Sequence, residues 1–229
     1  MKKFFFVVNL FLVLTLLWVE AVSAQTLLRT YVGEASNDRF SRTMTGVGDV
    51  NGDGFLDYAI GALWKNGEQG KIYVYLGGAT LPTTPSYTIT DGAGGQLGFA
   101  LAAGDINGDG YSDIVSSHVY YNSNRGKVMV YFGGPTPSAN VGAELYGQSI
   151  VNGTFGYEIE VADVNNDGYA DIFASAVNAP AGNQGRVYLY YGGSTLDTNF
   201  DGLWEGEPNS GFGFHLTIND FNNDGYKDL

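Results

Sequence analysis

The string "DINGDGYSDI" at residues 105–114 recurs as "DVNGDGFLDY" at 49, "DVNNDGYADI" at 163 and "DFNNDGYKDL" at 220, at offsets of 56, 58 and 57 residues. Self-similarity at a period near 57 is the signature of a repeat architecture, so it is read before any single motif. The first three units also carry "GKIYVYLGG" at 70, "GKVMVYFGG" at 126 and "GRVYLYYGG" at 185, β-branched and aromatic runs bounded by glycine. Such runs predict strands. The segments "DYAIGA", "DIVSSH" and "DIFASA" predict short buried strands after each acidic string, and "RTYVGEA", "SYTITDG", "AELYGQS" and "GLWEGEP" predict another strand per unit. About four short antiparallel strands per repeat, with no helical periodicity, predict an all-β fold of propeller blades; a β-helix has much shorter coils.

The acidic strings carry chemistry of their own. Oxygen side chains stand at relative positions 1, 3, 5 and 9: Asp49, Asn51, Asp53 and Asp57 in the first unit. The glycine at position 6 permits a sharp turn, and a carbonyl at position 7 with water completes a shell of hard oxygens suited to Ca²⁺. This is the first half of an EF-hand loop. The second half is absent, because position 12 holds Ile60, Ser116 or Ala174 instead of a bidentate glutamate. Position 4 is Gly52, Gly108, Asn166 or Asn223, the residue types that best tolerate a left-handed backbone. The alternative is that these Asx-rich strings are only hairpin turns bonded to their own backbone. Three carboxylates in so short a loop repel one another unless a cation is present, which favours the metal reading.

Twelve of the 24 acidic residues lie in the four strings, and the formal charge is −13 with 11 Lys and Arg. That balance excludes nucleic acid as a natural partner. The 34 glycines fit a turn-rich β protein. Residues 1–24 read as a signal peptide: Lys2 and Lys3, the apolar run "FFFVVNLFLVLTLLWV", and "VSA" ahead of Gln25. An uncleaved anchor is the alternative; no other stretch is long and apolar enough to span a bilayer, so the mature chain has no transmembrane segment. The chain is therefore expected to be secreted or displayed at the cell surface. It has no cysteine, so its rigidity comes from something other than disulfides.

The string "DxNxDGxxD", preceded by Phe155-Gly156 or Phe212-Gly213 and followed by an Ala/Gly-rich strand reaching Ala179-Pro180, resembles the FG-GAP repeat of integrin α-chain N-terminal domains and related bacterial surface proteins. The resemblance covers nearly all of residues 26–229. It implies a seven-bladed β-propeller with Ca²⁺ held in hairpin loops, about one ion per repeat and up to four here. Carried over residue by residue, the metal role falls on Asp49, Asn51, Asp53 and Asp57; on Asp105, Asn107, Asp109 and Asp113; on Asp163, Asn165, Asp167 and Asp171; and on Asp220, Asn222, Asp224 and Asp228. Phe55, Tyr111, Tyr169 and Tyr226 would add position-7 carbonyls. The implied function is adhesion or binding of an extracellular protein or carbohydrate ligand. The sequence departs from the family pattern at Ser41-Arg42 in place of Phe-Gly, and at "GAL" (61) and "SSH" (116) in place of Gly-Ala-Pro. Residues 25–229 hold about 3.5 repeats, which reads as a partial ring, truncated at its C-terminal end.

No catalytic motif is present. His118 and His215 occupy different repeat positions, which predicts structural or surface roles. The loop carboxylates are ill suited to glycoside hydrolysis, since a bound cation lowers the pKa that a general acid needs raised. The alternative function is an extracellular enzyme, or the accessory propeller of one, acting on polysaccharide or phospholipid. The recurrent Tyr and Phe predict packing between blades, and Trp64 and Trp204 are the better candidates for exposed ligand contacts.

Overall fold

The computed structural model describes residues 29–148, 150–179 and 183–229, and its strands all fall in the unit Tyr31–Leu229. The signal peptide over residues 1–24 and Pro180 of the Ala-Pro pair lie outside the described residues. Three four-stranded antiparallel sheets follow one another along the chain. Blade 1 comprises β1 (Phe40–Gly48), β2 (Asp57–Ala62), β3 (Ile72–Tyr75) and β4 (Tyr87–Ile89), each strand paired with the next. Blade 2 comprises β5 (Leu97–Gly104), β6 (Asp113–His118), β7 (Lys127–Tyr131) and β8 (Ala143–Leu145). Blade 3 comprises β9 (Phe155–Ala162), β10 (Asp171–Ala176), β11 (Arg186–Tyr190) and β12 (Gly202–Glu205). The chain is thus a run of propeller blades.

The strands after the acidic strings and the glycine-bounded aromatic strands stand where the sequence predicts them. Of the four segments expected ahead of each Phe-Gly position, three form the outermost strands β4, β8 and β12, whereas "RTYVGEA" forms no strand. Among the described residues no β3-like strand stands beside that segment, and a lone strand leaves its backbone groups unsatisfied. The first strand of each blade is one for which the sequence reading named no segment. It begins at or near the Phe-Gly position and runs to the acidic string.

Side-chain alternation explains the packing. On β6, Ile114 faces one way, into a core with Val47, Ala59, Ile72, Val74, Met129 and Tyr131 between blades 1 and 2. Val115 faces the other way, into a core with Val128, Val130, Phe155, Ile172, Tyr188 and Tyr190 between blades 2 and 3. Because a strand's residues point alternately to its two faces, a blade covered on both sides is apolar at every position. This is why "KVMVY" shows no polar alternation. The deep tyrosines, Tyr131, Tyr188 and Tyr190, belong to these cores, as expected for packing between blades.

The glycine of Phe-Gly has a specific duty. Gly98, Gly156 and Gly213 have φ of +86°, +84° and +83°, and an added Cβ at Gly156 would lie 2.6 Å from Cβ of Ser117 on the preceding blade. The glycine therefore lets the first strand of one blade press against the second strand of the blade before it.

Candidate metal centre

Each acidic string joins the first and second strands of its blade, and in the fourth unit it closes with paired backbone bonds between Asn219 and Asp228. The four loops share one internal geometry. In the first, Asp49 Oδ1 accepts the N–H groups of Gly52 at 2.7 Å and Asp53 at 3.1 Å, and Oδ2 accepts that of Gly54 at 2.8 Å. Asn51 Oδ1 accepts from the Asp53 N–H at 3.1 Å while its Nδ2 donates to Asp53 Oδ2 at 2.9 Å. Asp53 Oδ1 accepts the Phe55 N–H at 2.9 Å. Position 4 is left-handed in every loop, at φ +74°, +70°, +60° and +59° for Gly52, Gly108, Asn166 and Asn223, as the residue choice predicts. The same pattern, without the position-4 N–H bond to position 1, recurs around Asp105, Asn107 and Asp109. It recurs again around Asp163, Asn165 and Asp167. The fourth loop repeats it with Asp220, Asn222 and Asp224.

Position 9 behaves differently from the other three. Asp57, Asp113 and Asp171 are buried at 0–1% exposure. Asp113 Oδ2 accepts the Ile106 N–H at 2.9 Å and Oδ1 accepts the Gly133 N–H at 2.8 Å, tying the loop's second residue to the end of β7. Asp57 links Val50 to Gly77, and Asp171 links Val164 to Gly192, in the same way. Burial raises the pKa of all three, opposed by these N–H bonds and reinforced by the carboxylates at positions 5 and 1; Asp113 is pushed up to about 6. The late carboxylate therefore serves as a buried backbone clamp within electrostatic reach of positions 1 and 5.

The side chains at positions 1, 3 and 5 are partly or fully exposed. Among the described residues no three Asp, Glu, His or Cys side chains converge on a single point; the loop oxygens face backbone N–H groups. The donor chemistry nonetheless fits a hard divalent cation, being oxygen alone, and is unsuited to a soft one. The basic residues of the ion pairs are engaged elsewhere: Lys65 with Glu34 and Asp38, Lys71 with Glu34, Lys127 with Asp91 and Glu144, and Arg186 with Glu205.

What the strings alone do not reveal is that the loops are joined in series. The Ser112 N–H donates to Asp49 O at 3.0 Å and the Ala170 N–H to Asp105 O at 2.8 Å, position 8 of one loop binding position 1 of the loop before. The Gly134 and Gly193 N–H groups, at the ends of the glycine-bounded strands, reach back to Val50 O and Ile106 O at 2.9 Å. The ring of Tyr111 lies over Gly52 and that of Tyr169 over Gly108, leaving no room for a Cβ beneath. Between the third and fourth loops, Asn166 Nδ2 donates to Gly225 O at 2.9 Å. The signal was present in hindsight: a small residue at position 4 and an aromatic one at position 7 of the next repeat.

A second surface runs along the first strands, where β1 meets β5 and β5 meets β9. A cavity of about 370 Å³ opens there, lined by Arg42, Met44, Phe99, Tyr157, Glu158 and His215 among others. Phe99, Tyr157 and Phe214 each follow a Phe-Gly glycine or its counterpart, and their rings sit 5.3 Å and 4.9 Å apart in succession. Sequence reading singled out the tryptophans instead. Trp64 is 36% exposed and lies beneath the Arg39 guanidinium at 3.4 Å, and Trp204 is 44% exposed and stacked on Phe173. Of the histidines, His118 ends β6 fully buried, and His215 is exposed at the cavity edge. Among the described residues no helix is long and apolar enough to cross a membrane.

Comparison with known proteins agrees with this architecture. An FG-GAP-like repeat model matches residues 49–116 and an FG-GAP repeat model matches residues 155–190. The chain is 29% identical over 181 residues to mouse integrin alpha-8, covering 72% of this chain and 16% of that protein. It is 32% identical over 171 residues to human integrin alpha-IIb, covering 68% and 16%, and 27% identical over 208 residues to integrin alpha pat-2 of Caenorhabditis elegans, covering 81% and 17%. The chain thus spans about one sixth of the length of these relatives. With four copies of the acidic loop set between antiparallel blade strands, the chain belongs to the FG-GAP repeat family, with blades of the integrin α type.

Proposed function

We propose that this is an exported, calcium-stabilised propeller segment presenting a rigid surface to an extracellular protein or carbohydrate ligand, in adhesion or recognition. The observation that carries the calcium reading is the series of four oxygen-only loops, each bonded to the next, with the basic side chains of the ion pairs engaged elsewhere. Asp49, Asn51 and Asp53, with their counterparts in the other loops, would hold the ion. Asp57, Asp113, Asp171 and Asp228 would add a late carboxylate, and Phe55, Tyr111, Tyr169 and Tyr226 their carbonyls. Bound Ca²⁺ would supply positive charge to loops that each carry three carboxylates; it has no redox role. By linking the loops of neighbouring blades, the same belt would keep the first strands aligned and the aromatic row of Phe99, Tyr157 and Phe214 in place. Similarity to integrin α-chains supports a binding role over a catalytic one.

The test is the thermal midpoint of the full chain against free Ca²⁺, with a chelator as reference. Stabilisation should grow with the logarithm of free ion, reaching about 2.7 kcal/mol at a hundredfold excess over Kd. A midpoint indifferent to both calcium and chelator would overturn the reading.

A further inference from the structure

The four loops form a natural comparison at one bond. Position 3 is asparagine in all of them, and its side chain is held alike. Oδ1 accepts the position-5 N–H at 3.1, 3.0, 3.0 and 2.8 Å, and Nδ2 donates to the position-5 carboxylate at 2.9, 2.9, 2.9 and 3.0 Å. The following residue differs. It is Gly52 and Gly108 in the first two loops and Asn166 and Asn223 in the last two. We propose that Asn107, and more slowly Asn51, are sites of spontaneous deamidation through a cyclic imide, whereas Asn165 and Asn222 are protected. This inference stands apart from the calcium reading.

The chemistry follows from the contacts. The main-chain nitrogen of Gly108, after losing its proton to solvent, forms a bond to Asn107 Cγ. Negative charge gathers on Oδ1, where the Asp109 N–H already donates. The Cγ–Nδ2 bond then breaks and, with a proton from solvent, the nitrogen leaves as ammonia. Water opens the ring at either carbonyl, giving aspartate or isoaspartate; the net change is amide plus water to acid plus ammonia. Glycine exposes its nitrogen because no Cβ shields it. In the third loop the attacking residue carries a side chain that is itself fixed to Gly225 O.

The two Asn-Gly loops are not equal. The Gly52 N–H donates to Asp49 Oδ1 at 2.7 Å, which opposes its deprotonation. Among the described residues Gly108 makes no corresponding bond to Asp105; that carboxylate accepts from Asp109 and Gly110. Asn107 should therefore convert first. The isoaspartate product inserts a methylene into the loop backbone and shifts positions 5 to 9 out of register with position 1.

The experiment incubates the full chain at mildly alkaline pH in chelator and follows each asparagine by peptide mass mapping that separates aspartate from isoaspartate. Conversion at Asn107 should exceed that at Asn165 and Asn222 severalfold, with Asn51 between. Asn66-Gly67 and Asn152-Gly153, which lie outside the loops, serve as references for Asn-Gly bonds in other turns. In Asn166→Gly, Asn165 should become a new site. Equal rates at Asn107 and Asn165, or an unchanged Asn165 in the folded Asn166→Gly variant, overturn the proposal. So does an Asn107 that stays intact while Asn66 and Asn152 convert.

Discussion

The second and fourth loops carry nearly the same letters, "DINGDGYSDI" and "DFNNDGYKDL", yet they sit in different surroundings. In the second, Asp113 is fully buried and both its oxygens accept backbone N–H groups from two separate segments. In the fourth, Asp228 is half-buried, and of its side-chain oxygens Oδ2 accepts from Phe221 at 3.0 Å. Among the described residues no glycine N–H from a third strand donates to its other oxygen. The aspartate at position 9 is thus a clamp between two segments in the second loop and a local turn-closer in the fourth. Position 9 gains its structural weight from the third strand of its own blade.

The largest expected effect tests that contrast. Asp113→Ala strips the acceptor from two buried N–H groups and should cost about 3 kcal/mol in urea unfolding, while Asp228→Ala should cost about 1 kcal/mol or less. Similar losses at both positions would dissolve the distinction. Next is the ion: chelation should destabilise the wild-type chain more than Asp49→Ala or Asp105→Ala chains, which have already lost part of a proposed site. A chelator effect of equal size in all three would place the ion elsewhere.

A third outcome concerns pH. Desolvation holds the His118 imidazole well below its ordinary value of 6.5, with Asp91 and Glu144 opposing that shift and Lys127 adding to it; the Tyr121 ring packs alongside. The unfolded chain then binds more protons than the folded one as pH drops below 6.5, so stability is lost in that direction. Wild type should lose stability on acidification faster than His118→Ala, which installs the residue that blades 1 and 3 carry there as Ala62 and Ala176. Parallel slopes would show that the imidazole is already charged. Asn166→Ala should cost about 0.5 to 1 kcal/mol by removing one bond between loops. Smallest is Glu34→Gln, with a predicted loss under about 1 kcal/mol: although Lys65 and Lys71 hold the Glu34 carboxylate down to about 2, the pair lies at the surface.

Much of the molecule was legible in the chain of letters because its signals are local. A left-handed residue at position 4, a glycine at position 6 and runs such as "GKVMVYFGG" depend on the backbone near them, and each forms the turn or strand it announces. The strand at the Phe-Gly position was read only as a marker, since its first residues are shaped by contact with the preceding blade. "RTYVGEA" misled for the opposite reason: its composition suits a strand, but a strand needs a partner. Among site residues, the sequence named the oxygen donors, whereas the aromatic row of Phe99, Tyr157 and Phe214 escaped notice because its members lie a whole repeat apart.

From the sequence alone came the repeat, the all-β character and the oxygen chemistry of the loops, because spacing and residue type act within a few bonds. Only the tertiary structure decided that position 9 is a buried clamp, that successive loops are bonded in series, and that one histidine is sealed inside while the other is open. Those properties belong to groups some twenty to sixty residues apart, and burial and hydrogen-bond partners exist only once blades have stacked.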